Sequence, residues 1–386
     1  FVNFNVTTVE KEPLIPIGHE IACDQFRLPI ESPKKAFKTS GPKLTVSTNG
    51  DNLSASSSKV NFVFNRKTGI VTSYKVDGTE YFSEGFGIQP NFWRAPTDND
   101  YGNGMPKRLQ VWKESSKNFN VTDATVTMDG NNAVVNVNYL LPAGNLYIVN
   151  YTIYPSGAVN VAARFTSTDM DAAQTEVSEA TRTATFTPGR DAARKEASKL
   201  NVPRIGVRFR LPASMNQVEY FGRGPAENYL DRNAGSMVGL YKSTAEELYF
   251  PYVRPQENGH HTDTRWVSLS TGKKGLLIQA DNTIGFNALR NSIEDFDDEE
   301  ATGLSRQWSN FTPEQVANHD EAAAKNVLRR QHHINNITPR DFVEVCVDLK
   351  QQGVAGYDSW GSRPEPAYTL PANREYNWGF TLIPLK

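Results

Sequence analysis

The chain is a long series of short runs in which apolar and polar residues alternate, and turn residues separate these runs. A period of two is typical of strands with one buried face. Asp77-Gly78 lies between two such runs, which is a strong short-range hairpin signal. Strands are predicted at 44–46, 60–64, 70–76, 80–82, 124–128, 133–141, 146–155, 159–166, 206–211, 217–221, 264–269, 275–280, 343–349 and 376–383. Many short strands with frequent turns predict an all-β sandwich or barrel.

The beginning of the chain has a separate pattern. Alternation at 1–6 and 18–28 predicts two strands, and the prolines, lysines and serines of 29–42 predict a linker. We therefore divide the sequence into the end of a small β-sandwich with its linker, 1–40, and a large all-β domain, 43–386. Because the sequence starts at Phe1 and not at methionine, we expect a fragment or a processed chain.

A few segments do not read as strands. A short helix is predicted at 109–117, and a longer one at 312–328, where Thr312 can cap the helix and Pro313 suits its first position. The segment 167–203 is interpreted as a loop excursion or an edge hairpin, and the acidic run 294–300 as a solvated loop. Strands and helices do not alternate, so the sequence predicts neither a TIM barrel nor a Rossmann domain.

Composition excludes several classes of function. The 41 basic and 43 acidic residues leave a net charge of -2, which argues against nucleic acid or an anionic membrane as the main partner. No run approaches the roughly 18 apolar residues of a transmembrane helix. The two cysteines lie far apart, and adjacent histidines in a strand point to opposite faces, so no metal site is predicted in this chain. No phosphate loop or nucleophile elbow is present.

Acidic and amide side chains gather in a few turn-like stretches. Asp98, Asn99 and Asp100 follow Pro96, which ends a strand and predicts a stiff loop at a sheet edge. Glycoside hydrolysis needs two carboxylates that flank one bond. The candidates here are Asp98, Asp100, Glu227, Glu257 and Asp358. Each of them could instead pair with a nearby arginine, so no catalytic pair is expected within this chain.

One tryptophan has an unusual setting. Trp360 lies in a segment rich in glycine and proline, directly after Asp358-Ser359, and not in an alternating strand. An exposed loop tryptophan is typical of a binding or interface residue. Simple packing of the loop remains an equal alternative.

These stretches together resemble a known family. They are Phe64-Asn65-Arg66-x-x-Gly69, Arg94-Ala95-Pro96-x-Asp98-Asn99-Asp100-x-Gly102, Gly222-x-Gly224-Pro225-x-Glu227-Asn228-Tyr229-x-Asp231-Arg232, Tyr252-Val253-x-Pro255-x-Glu257-Asn258-Gly259, Thr264-Arg265 and Asp358-Ser359-Trp360. In this order they resemble the C-terminal part of bacterial β-galactosidases of glycoside hydrolase family 2, over essentially the whole chain.

The resemblance implies a fold and a parent activity. Residues from about 43 onward would form the large antiparallel β-supersandwich of galactose mutarotases, and 1–40 would be the last strands of an immunoglobulin-like domain. The parent would be a retaining β-galactosidase that cleaves lactose-type β-D-galactosides, and a homo-oligomer in the cytoplasm or periplasm of a bacterium. Its catalytic glutamates lie on an upstream TIM barrel that this chain lacks, so the chain alone is expected to be inactive. Mg²⁺ and Na⁺ would be bound mainly by the missing part.

The resemblance also implies that this domain packs against the barrel of the same polypeptide and lines the mouth of the active site, with Trp360 close to the sugar. The substrate-binding residues expected on this basis and from the turn-like stretches are Trp360, Asp98, Asn99, Asp100, Arg94, Asp358, Glu227, Asn228, Arg232, Glu257 and Asn258.

Three alternatives remain open. The chain could be a stand-alone sugar-binding module that uses Glu227, Asn228, Arg232, Glu257 and Asn258. It could be a mutarotase-like aldose epimerase in which His260 or His261 acts with Glu257. It could also be a purely structural subunit-contact domain without a ligand.

Overall fold

The structure is a computed structural model, and it describes residues 1–30, 36–166, 200–297, 334–358 and 361–386. Strands dominate this part of the chain. They are β1 (Val2–Thr7), β2 (Glu20–Phe26), β3 (Thr45–Asn49), β4 (Asn52–Ser56), β5 (Val60–Asn65), β6 (Ile70–Val76), β7 (Thr79–Glu80), β8 (Gln89–Asn91), β9 (Asn120–Asp129), β10 (Asn132–Leu140), β11 (Leu146–Ile153), β12 (Val159–Thr166), β13 (Arg204–Pro212), β14 (Gln217–Gly224), β15 (Met237–Thr244), β16 (His261–Ser270), β17 (Gly275–Leu289), β18 (Phe342–Gln351) and β19 (Tyr376–Leu385).

The helices of the described residues are short. They are α1 (Asp98–Gly102), α2 (Met105–Arg108), α3 (Gln110–Ser115) and α4 (Ile293–Phe296), and 3₁₀ turns occur at Ser83–Gly85, Ile334–Asn336 and Pro366–Tyr368. None of the helices described is long and apolar enough to cross a membrane.

An antiparallel sheet of 12 strands carries most of the fold. Its main order is β15-β14-β16-β17-β19-β12-β11-β10-β9, and β18, β13 and β8 branch from it. The branch point is the 15-residue strand β17, which pairs with β19 through 275–280 and with β18 through 285–289. The two halves of this one strand therefore pair with two different strands of the sheet.

A second sheet of 5 strands, β3 to β7 in chain order, packs on the first. The ring of Phe62 lies 5.6 Å from the ring of Tyr151, and the Tyr74 hydroxyl donates a hydrogen bond of 2.6 Å to the carbonyl oxygen of Gly157. Both tyrosines are buried in one continuous core that spans the two sheets. The predicted all-β antiparallel supersandwich is confirmed.

Most of the strand predictions are confirmed, although several strands extend beyond their predicted bounds. The prediction missed β4, β8 and β15, and it ended β17 nine residues early because the polar residues at 281–283 resemble a turn. Strand β16 also begins earlier than predicted, at His261. The predicted helix at 109–117 is confirmed by α3. The predicted helix at 312–328 and residues 167–199 of the predicted loop excursion lie outside the described residues.

Two loop predictions were wrong in detail. The residues after Pro96 form the helical turn α1, because Thr97 and Asp100 cap it reciprocally: each side chain accepts a hydrogen bond from the other residue's backbone N–H. The acidic run does not begin as a solvated loop, since Glu294 and Asp295 belong to α4. Asp295 is buried and accepts a 3.0 Å hydrogen bond from Arg340.

The N-terminal hairpin β1–β2 is largely exposed. It touches the large sheet at the edge strand β15, where the side-chain amide of Gln25 bonds both the N–H and the carbonyl oxygen of Val238 at 2.8 Å. This contact covers part of a sheet edge. The assignment of 1–40 to an immunoglobulin-like domain stays a prediction.

Candidate functional site

A cleft of about 250 Å³ collects several of the stretches that stood out in the sequence. Its lining comes from 97–99 at α1, from Tyr229 and Arg232, from Tyr252, Gln256 and Glu257, and from 354–356. We call this space the Asp98–Glu257 cleft. Four segments that are distant in sequence thus meet at one polar surface.

The α1 wall of the cleft is held by neighbouring loops. Asn99 donates hydrogen bonds to the carbonyl oxygens of Val354, at 3.2 Å, and Ser362, at 2.7 Å. The exposed Asp98 carboxylate lies 3.4 Å from the Arg254 guanidinium. The side chain of Asn99 therefore fixes the relative position of two walls of the cleft.

Beneath this wall lies a fully buried ion pair. Arg94 donates to both carboxylate oxygens of Asp100, at 2.5 and 3.2 Å, and the two side chains are 0% and 1% exposed. Arg94 also reaches the carbonyl oxygen of Gly353 at 3.4 Å. This pair joins α1 to the segment that carries Val354, so the structure gives Arg94 and Asp100 a supporting position, and direct sugar contact by either stays a prediction.

Glu227 is fully engaged and supports the rim of the cleft. Its Oε1 accepts hydrogen bonds from Arg232, at 2.8 Å, and from the hydroxyl of Tyr252, and its Oε2 accepts one from the backbone N–H of Gly259 at 2.7 Å. Arg232 and Tyr252 line the cleft, whereas Glu227 does not. Glu227 thereby orients two side chains that a ligand could contact.

Glu257 does line the cleft, and a buried polar network holds it. Its Oε1 accepts hydrogen bonds from Arg204 at 2.9 Å, Gln351 at 2.8 Å and Asn287 at 3.1 Å. On its other side Arg204 lies 3.1 Å from Asp348. Burial raises the pKa of Asp348 to about 7, although the positive charge of Arg204 opposes this shift.

The two predicted asparagines shape the turns of the site. Asn228 is 0% exposed, and its side-chain oxygen accepts a 2.9 Å hydrogen bond from the backbone N–H of Thr262. Asn258, 2% exposed, accepts one from the N–H of Phe250 at 3.2 Å. Both side chains are used within the protein, so a contact of either with sugar stays a prediction.

The remaining predicted residues, Asp358 and Trp360, follow the 354–356 segment in the sequence. Asp358 is exposed and lies two residues beyond Gly356. Trp360 lies outside the described residues. The wall at 354–356 therefore leads directly to the segment where the sequence places the tryptophan.

The two adjacent histidines are buried and do not line the cleft. His260 is 1% exposed, stacks on Tyr229 at 5.6 Å and contacts Asn287 through Nδ1 at 2.9 Å. Burial lowers the pKa of His260 well below its ordinary value and that of His261 to about 4. This geometry gives no support to a histidine acid acting with Glu257.

The burial of His261 predicts a specific sensitivity to acid. Its pKa falls from 6.5 to about 4, so between these values the folded protein binds fewer protons than the unfolded chain, and stability is lost as the pH falls. We expect His261 to contribute a loss of about 2 kcal/mol between about pH 7.5 and pH 5. Urea denaturation of the wild type and His261→Gln at both pH values measures it.

The comparison of the two proteins isolates this histidine. The raised pKa of Asp348 changes the free energy of unfolding in the opposite direction between pH 5 and pH 7.5. Because Asp348 is present in both proteins, its contribution cancels when they are compared. The exposed His19 provides the control variant His19→Gln. An equal loss of stability in the wild type and in His261→Gln would disprove the assignment.

Residue-level reasoning missed part of the site. Tyr229, Tyr252 and Gln256 line the cleft. Each belongs to one of the motifs that resemble the family, so its position beside a predicted site residue could have indicated it. The supporting residues Arg204 and Asp348 were also missed. Asp348 stands at a polar position of the alternating strand 343–349, and Arg204 precedes the predicted strand 206–211, so no local pattern marked either residue as buried.

Within the part of the chain that the structure describes, no three His, Cys, Asp or Glu side chains are grouped so that they could hold a metal ion. These described residues therefore do not fit a metal centre.

A family model described as β-galactosidase small chain matches residues 56–382. The chain belongs to the β-galactosidase small-chain family. The resemblance carried by the motifs is thus confirmed.

Curated relatives of this small-chain protein are β-galactosidases. The β-galactosidase of Priestia megaterium is 31% identical over 371 residues, which cover 95% of this chain and 30% of the relative. The β-galactosidase small subunit of Latilactobacillus sakei is 27% identical over 338 residues, which cover 83% of this chain and 92% of the relative. The chain therefore spans about 30% of the long relatives and nearly all of the separate small subunit.

Among solved structures, the small-chain protein is similar to a galactose 1-epimerase from Lactobacillus acidophilus. The identity is 8%, the match covers 89% of this chain and 98% of the other, and the TM-score is 0.41. A galactose mutarotase-related enzyme of the same species gives a TM-score of 0.42 at 10% identity, covering 87% and 97%. At these scores the likeness carries no argument about function.

Proposed function

We propose that this small-chain protein is part of a β-galactosidase that hydrolyses terminal β-D-galactosides of the lactose type, and that the Asp98–Glu257 cleft is its contribution to the sugar site. One observation carries the proposal: four separate segments converge on a polar cleft in a chain of this family. Hydroxyl, amide and carboxylate groups in the cleft suit a polyhydroxylated ligand, and the Tyr252 ring suits the C–H face of a sugar.

In this proposal the catalytic carboxylates belong to the upstream barrel of the same polypeptide. A retaining mechanism needs two carboxyl groups that are about 5 Å apart and free to react with the substrate. Glu227 uses both of its oxygens within the protein, and Glu257 is tied to a buried arginine. The chain alone would then be inactive, and it would complete the site on the acceptor side.

The same proposal assigns the remaining partners. Mg²⁺ and Na⁺ would be bound mainly by the upstream part. The parent enzyme would be a homo-oligomer, and Trp360 would contact the sugar.

Hydrolysis of a chromogenic β-galactoside tests the function. The chain alone is expected to show no hydrolysis, and mixing it with the upstream part of the polypeptide is expected to restore it. Trp360→Ala should lower the restored activity by about 10-fold or more, the scale of one lost anchor residue. Activity of the chain alone, or no activity after assembly, would contradict the proposal.

A stand-alone sugar-binding module is the second candidate, because the described lining of the cleft comes from four segments of this chain and the cleft is open to solvent. Galactose titration of the isolated chain, followed by intrinsic tryptophan fluorescence, separates the two functions. Saturable binding by the isolated chain without restored hydrolysis on assembly would favour the module.

A further inference from the structure

The hydrogen bonds to Glu257 are strongly asymmetric. The donors from Arg204, Gln351 and Asn287 all reach Oε1. No donor from the described residues reaches Oε2, although Glu257 lines the cleft. One carboxylate oxygen is therefore saturated by the protein, and the other retains its capacity to accept hydrogen bonds.

The saturated oxygen is held firmly. Arg204, Gln351 and Asn287 are 0%, 2% and 6% exposed, so their side chains are fixed by packing. Charge-assisted hydrogen bonds, such as that from Arg204, are the strong ones in proteins. A carboxylate anchored by three donors on one oxygen presents the other oxygen in a defined direction, which is how binding groups are preorganised.

The charges around the cleft favour an uncharged ligand. Arg232 is the cation among the described residues that line it, and Glu227 neutralises it at 2.8 Å. Arg254, close to the rim, is paired with Asp98 at 3.4 Å. An anionic ligand would find the positive charges of the cleft already paired, whereas an O–H donor would find Oε2 of Glu257, which accepts no hydrogen bond from a described residue.

We propose that Glu257 Oε2 accepts a hydrogen bond from one hydroxyl group of an uncharged sugar in the Asp98–Glu257 cleft, and that Gln351 and Asn287 are positioning residues for this contact. This inference rests on the proposed function and deepens it, since it identifies the acceptor atom and the chemical class of the ligand.

Glu257→Gln is the informative variant. Its amide oxygen can still receive the three buried donors, so that the amide NH₂ takes the place of Oε2. The substitution then puts a donor where the acceptor stood, with almost no change in shape. Glu219→Gln is the matched control, because Glu219 is a surface residue whose ion pair with Lys242 is long, at 3.7 Å.

The test uses the assembled enzyme with lactose and the series of its monodeoxy analogues. In the wild type, removal of one particular hydroxyl should raise KM by about 10-fold or more, the effect of a lost hydrogen bond to a charged acceptor. In Glu257→Gln the KM for lactose should rise by a similar factor. The KM of the analogue that lacks this hydroxyl should then equal the KM of lactose, because the variant no longer accepts the hydrogen bond. Gln351→Leu should raise the same KM in the same hydroxyl-dependent way, which a merely structural role would not do.

The outcomes separate the two proposals. If Glu257→Gln or Glu257→Asp folds and keeps the full penalty for every deoxy analogue, the Glu257 contact is wrong while the β-galactosidase function stands. If assembled wild type hydrolyses no β-galactoside, the proposed function itself fails. Glu257→Asp serves as the second variant, because it retains the charge and withdraws the carboxylate by one methylene group.

Discussion

Replacing Arg204 with leucine is expected to lower the free energy of unfolding by about 3–5 kcal/mol, since the change leaves buried carboxylates without their counter-charge. Arg204 is 0% exposed and lies 2.9 Å from Glu257 and 3.1 Å from Asp348. Burial opposes the positive charge of Arg204, but the two carboxylates outweigh this effect and raise its pKa. Urea denaturation followed by tryptophan fluorescence measures the loss.

The loss should depend on pH in a defined direction. In the wild type, burial already raises the pKa of Asp348 to about 7, and removal of Arg204 raises it further. A carboxyl group with a raised pKa in the folded state destabilises the fold as the pH rises and it ionises. The deficit of Arg204→Leu should therefore be larger at about pH 8 than at about pH 5.

A surface arginine provides the control for this experiment. Arg66 pairs with Asp51 at 3.9 Å, and both side chains are substantially exposed. Arg66→Leu should change the free energy of unfolding by less than about 1 kcal/mol. A loss below about 1 kcal/mol for Arg204→Leu as well would show that the network does not stabilise the fold in the way described.

Arg94→Ala is expected to have the second large effect, because it acts on both stability and the cleft. The change leaves the Asp100 carboxylate, 1% exposed, without its bidentate partner, which should cost about 3–5 kcal/mol. It also removes the link from α1 to the carbonyl oxygen of Gly353. Thermal denaturation and the restored hydrolysis of the assembled enzyme should both decrease.

Asp98→Ala separates these two effects. Asp98 belongs to the same helix as Asp100, but its side chain is 59% exposed and its ion pair is long. Its replacement should change stability by less than about 1 kcal/mol. If Arg94→Ala were as mild as Asp98→Ala in thermal denaturation, the buried pair would not be the support of α1.

Alternation predicted most of the fold, since strands with one buried face carry a period of two. It failed where burial does not follow that period. In the edge strand β15, Leu240 is 59% exposed, so the apolar residues of this strand do not all face the core. The alternation that predicts a half-buried strand is therefore missing. Strand β17 continues past three exposed polar residues because it pairs with β19 before them and with β18 after them.

The candidate site was predicted as a set of residues, but not as an arrangement. Glu227 and Glu257 have similar surroundings in the sequence, as do Asp98 and Asp100. The structure separates them: Glu257 and Asp98 line the cleft, while Asp100 supports it through a buried ion pair with Arg94 and Glu227 supports it through hydrogen bonds from Arg232 and Tyr252. This distinction depends on partners that are distant in sequence, such as Gln351, which lies 94 residues from Glu257 and which no local pattern contains.

Backbone hydrogen exchange of the assembled enzyme, with and without galactose, tests the central claim most directly. Galactose is expected to slow exchange at 97–99, 229–232, 252–257 and 354–356, the four segments of the Asp98–Glu257 cleft. Slowed exchange elsewhere in this chain, for example along β9 and β10, with no change in those four segments, would contradict the placement of the sugar site.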